Sequence, residues 1–201
     1  MSRKWAYLML AGSALFWSGN FVIGRAFSTE IAPVTIAYLR WCTALLLILP
    51  FTLKPIWVQW ALIRSHLLLL IFLAALGVAG FNTFAYLGLN QTSATNALLI
   101  NSFIPILIIL LSRVILGTAI TLGKQLGIMV STCGVVLLVS RGELSALLDL
   151  NINAGDLWVL LAALVWALYS ICLRFRPAEL SASAFLGFTV ITGVIILSPI
   201  Y

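Results

Sequence analysis

Residues 34–50 read VTIAYLRWCTALLLILP, an apolar run interrupted by one arginine, Arg40. Whether a permanent charge can sit there depends on what surrounds the run. Of the 201 residues, 63% are hydrophobic and 8% charged, whereas a soluble domain carries roughly 25% charged residues. So few polar groups cannot cover a fold in water. The chain reads as an all-α polytopic membrane protein with lipid as its solvent.

A helix needs about 20 apolar residues to cross a bilayer. Seven segments come close or qualify: residues 5–24, 33–51, 67–87, 94–111, 126–140, 157–173 and 182–200. The fifth is short, and its start is placed near Leu122. Basic residues test this assignment. Arg3, Lys4, Lys54, Arg64, Arg113, Lys124, Arg174 and Arg176 all fall on one side of the membrane. The other side has only Arg25 and Arg141, with Glu30, Glu143, Asp149 and Asp156. That bias puts the N-terminus in the cytoplasm. Trp5, Trp57, Trp60 and Trp158 sit near span ends, as interfacial anchors do.

The opening MSRKWAYLML has the charge pattern of a signal peptide. Its apolar stretch continues to about Gly24, so it reads as a retained first helix. Cys42, Cys133 and Cys172 all lie in apolar runs and form no CxxC pair, so neither a disulfide framework nor a metal site is expected. The net charge of +6 is scattered singly or in pairs, which argues against a nucleic-acid partner.

Offsetting the chain by 149 residues reveals an internal repeat. LFWSGNFVIGRAFSTEIAP then faces LVWALYSICLRFRPAELSA, so Trp17 meets Trp166, Arg25 meets Arg174, Glu30 meets Glu179, and Pro50 meets Pro199. The copies begin five spans apart, and an odd number reverses orientation. That is an inverted-topology repeat of the kind seen in transporters. The expected organisation is one complete five-helix repeat at residues 1–141, a connecting loop at 142–155, and an incomplete inverted repeat at 156–201. A fragment of a ten-span protein is favoured over a short form completed by a partner.

Four segments carry a family resemblance. They are FWSGNFVIGR, PVTIAYLRW, LNQTSATNALLINSFIPILIILLS and QLGIMVSTCGVVLL, in that order. Together they resemble the drug/metabolite transporter superfamily, in its ten-helix EamA-type branch. The resemblance implies two inverted five-helix repeats around a central cavity open alternately to each side. It implies a bacterial inner-membrane exporter of a small metabolite, with amino acids or nucleosides the leading class and drug or toxic-compound efflux the alternative. No cofactor is implied. The expected partners are the lipid bilayer, a small-molecule substrate, and either a second copy of the chain or the missing C-terminal half.

Several residues are candidates for lining that cavity. Ser13, Trp17, Asn20 and Gly24 share one helical face of the first span. Trp166, Tyr169 and Ser170 lie on the corresponding face of the sixth. Cavity lining and simple helix packing both remain open for the two tryptophans. The third span contributes Asn82, Tyr86 and Asn90 at four-residue spacing. The fourth contributes Asn96, Asn101, Ser102 and Pro105. Pro105 cannot donate to the Asn101 carbonyl, which signals either a transport-path break or a harmless kink, the kink being favoured. Gly123, Gly127 and Ser131 recur at four-residue spacing as a helix-packing face, within the bundle or in a dimer.

Arg40 lies seven residues after Pro33, about 10 Å below the helix end. It could clamp a substrate carboxylate. A structural role is favoured, because the second span shows no polar stripe marking a cavity face. No Asp or Glu lies within a span, which disfavours proton exchange through an intramembrane carboxylate. His66 is the sole histidine, and no GxSxG or HExxH is present, so an intramembrane enzyme is not expected. A channel is disfavoured too, for want of charge rings or a filter-like glycine motif.

Overall fold

A computed structural model describes residues 3–27, 30–140 and 153–201. Arg141, Glu143, Asp149 and most of the expected connecting loop at 142–155 lie outside the described residues. The described elements are helical. They are α1 (Arg3–Ala26), α2 (Pro33–Val58), α3 (Trp60–Ser65), α4 (Leu67–Ala74), a π-helical turn (Ala75–Gly80), α5 (Phe81–Gln91), α6 (Ala94–Asn101), α7 (Ile104–Leu116), α8 (Leu122–Ser140), α9 (Ala154–Cys172, extended by a 3-10 turn at Leu173–Phe175) and α10 (Ala182–Leu197).

Local chemistry explains where these helices begin and end. Pro33 opens α2, where its missing N–H costs nothing. Ser93 and Ser181 cap α6 and α10 by accepting from the amides of Asn96 and Ala184. Asn153 and Asp156 form a reciprocal capping box at the start of α9. Gly117, at φ 64°, ends α7 in the left-handed conformation that suits glycine.

Among the described residues, five stretches are long and apolar enough to cross a membrane: Lys4–Ala26, Pro33–Val58, Leu67–Gln91, Ala94–Leu116 and Ala154–Phe175. The fifth expected span is present as α8, with 19 residues beginning at Leu122. The seventh is the 16-residue α10. At 1.5 Å per residue it covers roughly 24 Å, shorter than the expected 182–200. The chain is an all-α polytopic membrane protein.

Contacts fix the relative directions of the helices. Along α1, Trp17, Asn20 and Arg25 meet Phe81, Tyr86 and Leu89 in turn, so α1 runs parallel to α5. Along α9, Gly155, Val159, Val165 and Tyr169 meet Gln91, Gly88, Gly80 and Gly77, so α9 runs antiparallel to both. Similarly, Gly187 of α10 packs on Thr52 and Ile56 of α2, while Ser181 meets Gln59 and Tyr201 stacks on Tyr38. α2 and α10 are therefore antiparallel. Pro33 and Ala182, the first residues of α2 and α10, stand 149 residues apart, the offset of the sequence repeat.

α2 continues past the expected end at residue 51 despite Pro50 and Pro55. Its last turns are held from outside the helix. The Gln59 side chain donates to the Glu179 carbonyl (2.8 Å) and accepts from the Ser181 amide (3.0 Å). Two buried clusters sit at opposite ends of the bundle. Phe21, Phe81, Tyr86, Leu89 and Val159 are among the first, and Ile63, Leu70, Leu73, Leu180 and Phe188 among the second.

α5 and α9 approach each other backbone to backbone. A methyl group on Gly88 would stand 2.8 Å from the Gly155 carbonyl oxygen and 3.0 Å from the Val159 nitrogen. Those are backbone atoms and cannot rotate away. Gly88→Ala is therefore expected to cost about 1–3 kcal/mol. Gly12→Ala, which would meet nothing within 4 Å, should be neutral. Unfolding midpoints in detergent would compare them, and equal midpoints would show that this approach does not limit stability.

Candidate functional site

The repeat-related Trp17 and Trp166 touch, with ring centroids 5.4 Å apart. Phe81 packs at 6.5 Å from Trp17 and 4.7 Å from Trp166. Tyr169 lies 5.2 Å from Trp166 and covers Gly77, where a side chain would collide with its ring. This aromatic group joins α1, α5 and α9. Trp17 remains 44% exposed, so it both packs and presents a face.

That face opens on a groove of about 380 Å³ lined by Trp17, Ser18 and Phe21 of α1 and by Leu98, Asn101, Ser102 and Pro105 across the α6–α7 junction. The fourth span is broken there. α6 stops at Asn101, and α7 starts at Ile104. The physical cause is Pro105, which has no N–H for the Asn101 carbonyl. The Asn101 side-chain oxygen is also buried without a hydrogen-bond partner. Ser18 and Ser102 donate to their own helices, to Leu15 O (3.0 Å) and Leu99 O (2.5 Å). The groove's surface is almost wholly apolar, with the Trp17 indole on one side, and no charged residue lines it.

A polar network runs from α2 through α5. The Arg40 guanidinium donates to Asn82 Oδ1. Asn82 is buried and donates in turn to the carbonyls of Gly77 (3.5 Å) and Val78 (3.4 Å) in the π turn. One turn further on, the Tyr86 hydroxyl donates to Asn20 Oδ1 of α1 at 2.6 Å. Nearby, Arg25 donates to the carbonyls of Leu89 (2.6 Å) and Asn90 (3.2 Å), tying α1 to the end of α5.

The sequence-derived candidates therefore separate. Trp17 and Asn101 line the groove, while Trp166 and Tyr169 stand behind Trp17 in the aromatic group. Asn20, Asn82 and Tyr86 belong to the inter-helix network. Ser170 donates to Trp166 O (2.8 Å) within its own helix. Asn96 lies in the first turn of α6 and does not line the groove. Gly123 and Gly127 meet no neighbour within 4 Å of an added methyl, so they make no tight contact among the described residues; Ser131 is partly buried. Sequence reasoning missed Phe81, Phe21 and the π turn. The paired glycines in Gly77-Val-Ala-Gly80 were the available signal, since π segments often mark functional positions.

Residues 4–140 match the family described as the EamA-like transporter family. The chain belongs to that family, and it is a multi-pass membrane protein. An uncharacterized transporter of Bacillus subtilis, YyaM, is 27% identical over 189 residues, covering 94% of this chain and 62% of the relative. An uncharacterized transporter of Archaeoglobus fulgidus is 32% identical over 190 residues, covering 89% of this chain and 62% of the relative. Another, from Methanothermobacter thermautotrophicus, is 25% identical over 187 residues, covering 87% and 54%. The chain thus spans about three-fifths of the first two relatives' length. No solved structure matches it.

The network makes a ranked prediction. Asn82→Leu removes the acceptor of a charged donor and should cost about 2 kcal/mol, against about 1 kcal/mol for Tyr86→Phe. Denaturant titration in detergent would check the order, and a larger loss for Tyr86→Phe would reverse the importance given to Arg40.

Proposed function

We propose that the chain handles substrate in an inner-membrane exporter of small metabolites, with amino acids or nucleosides as the leading class. Transport would proceed by alternating access, as the two inverted repeats rock against each other, and without covalent chemistry. In this reading residues 1–141 form the first repeat and 156–201 open the second, with 142–155 connecting them outside and the N-terminus in the cytoplasm. Gly123, Gly127 and Ser131 would then meet a second copy of the chain or the remaining helices of the second repeat.

The observation that carries the proposal is the broken α6–α7 span facing Trp17 across an open groove. Irregular backbone at membrane depth is tolerated where it is buried in protein or lines a water-filled cavity. Transporters place their binding sites at such breaks. Indole rings supply apolar area and ring faces for flat or amine-bearing solutes.

Exchange of radiolabelled amino acids and nucleosides by reconstituted vesicles tests this reading. Trp17→Ala should slow exchange about tenfold, corresponding to the loss of one good aromatic contact. Membrane insertion should be unchanged. Pro105→Ala should slow exchange as well, by restoring a donor to the Asn101 carbonyl and straightening the span. Unaltered exchange in both variants would remove the groove from the transport path.

A further inference from the structure

The third span is interrupted at its middle by the π turn Ala75–Gly80, which holds one residue more than the α turn it replaces. Its mark is the Phe81 N–H, which donates to Leu76 O, five residues back. Packing holds the first half of the turn. Tyr169 of α9 covers Gly77, and Gly193 of α10 leaves the room that Val78 fills. The second half ends on the small residues Ala79 and Gly80 and runs straight into α5.

Two neighbouring side chains are served unequally by this backbone. Asn82 is well served. Its amide nitrogen reaches the Gly77 and Val78 carbonyls (3.5 and 3.4 Å), and Arg40 of α2 donates to its Oδ1. Thr83 is not. Its Oγ1 is buried and has no hydrogen-bond partner among the described residues. Thr43, Thr52 and Thr189, by contrast, each donate to the carbonyl four residues back in their own helices, at 2.9, 3.1 and 2.8 Å. For Thr83 that carbonyl belongs to Ala79, inside the π turn. Buried polar groups in native proteins are nearly always paired, so the orphaned hydroxyl calls for a specific explanation.

We infer that the π turn is a two-position switch, latched in the observed position by Asn82 and drawn towards the other by Thr83. In the second position the Phe81 N–H passes from Leu76 O to Gly77 O, and the extra residue moves on into α5. The Thr83 hydroxyl then donates to Ala79 O, while Asn82 loses the Gly77 carbonyl to the incoming backbone donor. Each residue that the bulge passes over turns by about 100° around the helix axis. That turn takes Phe81 off the rings of Trp17 and Trp166, which it now meets at 6.5 and 4.7 Å, and takes Asn82 off Arg40. Tyr86 and Leu89, further along α5, keep their places. The switch thereby couples the aromatic group beside the groove to the brace between α2 and α5. It goes beyond the transport reading, because it is a property of the chain alone and involves no solute.

The test uses the full 201-residue chain in neutral phosphatidylcholine nanodiscs, with 4-fluorophenylalanine at position 81 read by fluorine NMR saturation transfer. Two exchanging resonances are expected, the larger from the observed position. Thr83→Val keeps the side-chain shape but removes the donor, so it should shrink the minor resonance about fivefold, the equivalent of one ordinary hydrogen bond. Asn82→Ala loosens the latch and should enlarge it by a similar factor. Deleting Ala79 removes the extra residue, closes the turn and should leave one resonance without exchange. Thr83→Val keeps the test decisive if Asn82→Ala fails to fold.

A single, unexchanging resonance in the unsubstituted chain would overturn the switch. So would a minor resonance that Thr83→Val leaves unchanged, or an unaltered ratio in folded Asn82→Ala protein. None of these results touches the transporter reading, which stands or falls by its own exchange assay.

Discussion

The backbone approach of α5 to α9 at Gly88 and Gly155 is the constraint on which the rest of the bundle depends. Lipid tails are as apolar as leucine, so burial gives membrane helices little reason to associate. Close packing must supply it. Val159 enters the space above Gly88, and the start of α9 lies on the backbone of Gln91 and Thr92. Thr92 then donates to Asp156 at 2.5 Å, so the acid that caps α9 also latches it to the end of α5. With that end fixed and the direction reversed, Val165 and Tyr169 fall beside Gly80 and Gly77, and Trp166 falls beside Phe81. The aromatic group is a geometric consequence of where the glycines are.

Polar side chains act within this packing as register marks. In hydrocarbon a loose donor finds no water, so each must be answered by protein. Gln59 reads the start of α10, Arg25 the end of α5, and Arg40 the Asn82 side chain of α5. Inter-helix hydrogen bonds in membranes average about 0.6 kcal/mol. Such bonds add modest stability, but each is satisfied at one vertical position only. They therefore choose among packings that glycine and methyl contacts alone would leave close in energy.

The course of the helices was legible because it depends on runs of apolar residues and on the placement of charge. The spans expected from residues 33, 94 and 182 begin where α2, α6 and α10 begin, whereas α9 starts at Ala154, ahead of the expected 157, because Asn153 and Asp156 cap it there. What stayed hidden depends on contacts between distant segments. Nothing near Arg40 in the sequence names Asn82 as its acceptor, 42 residues away. The extension of α2 through two prolines comes from Gln59 meeting Glu179 and Ser181, more than a hundred residues on. Pro105 did announce the interruption of the fourth span. The segment alone does not tell a kink from a transport-path break, because only the fold brings Trp17 opposite it.

The two halves of the aromatic group are held unequally, and this matters for motion. Trp166 is ringed by Trp17, Phe81 and Tyr169, on a helix packed closely against α5. α1 meets the bundle through its second half, at Trp17, Asn20, Phe21, Gly24 and Arg25. Its first half is exposed, with Trp5, Tyr7, Leu8, Met9 and Leu10 at 60% or more. In the proposed cycle, a shift of α1 against α5 would carry Trp17 across the mouth of the groove while Trp166 keeps its place between Phe81 and Tyr169. The break between α6 and α7 supplies the complementary freedom, because a span without a continuous hydrogen-bond ladder bends at low cost. The fold therefore places the interrupted backbone of the fourth span and the Trp17 face of α1 on facing sides of one groove.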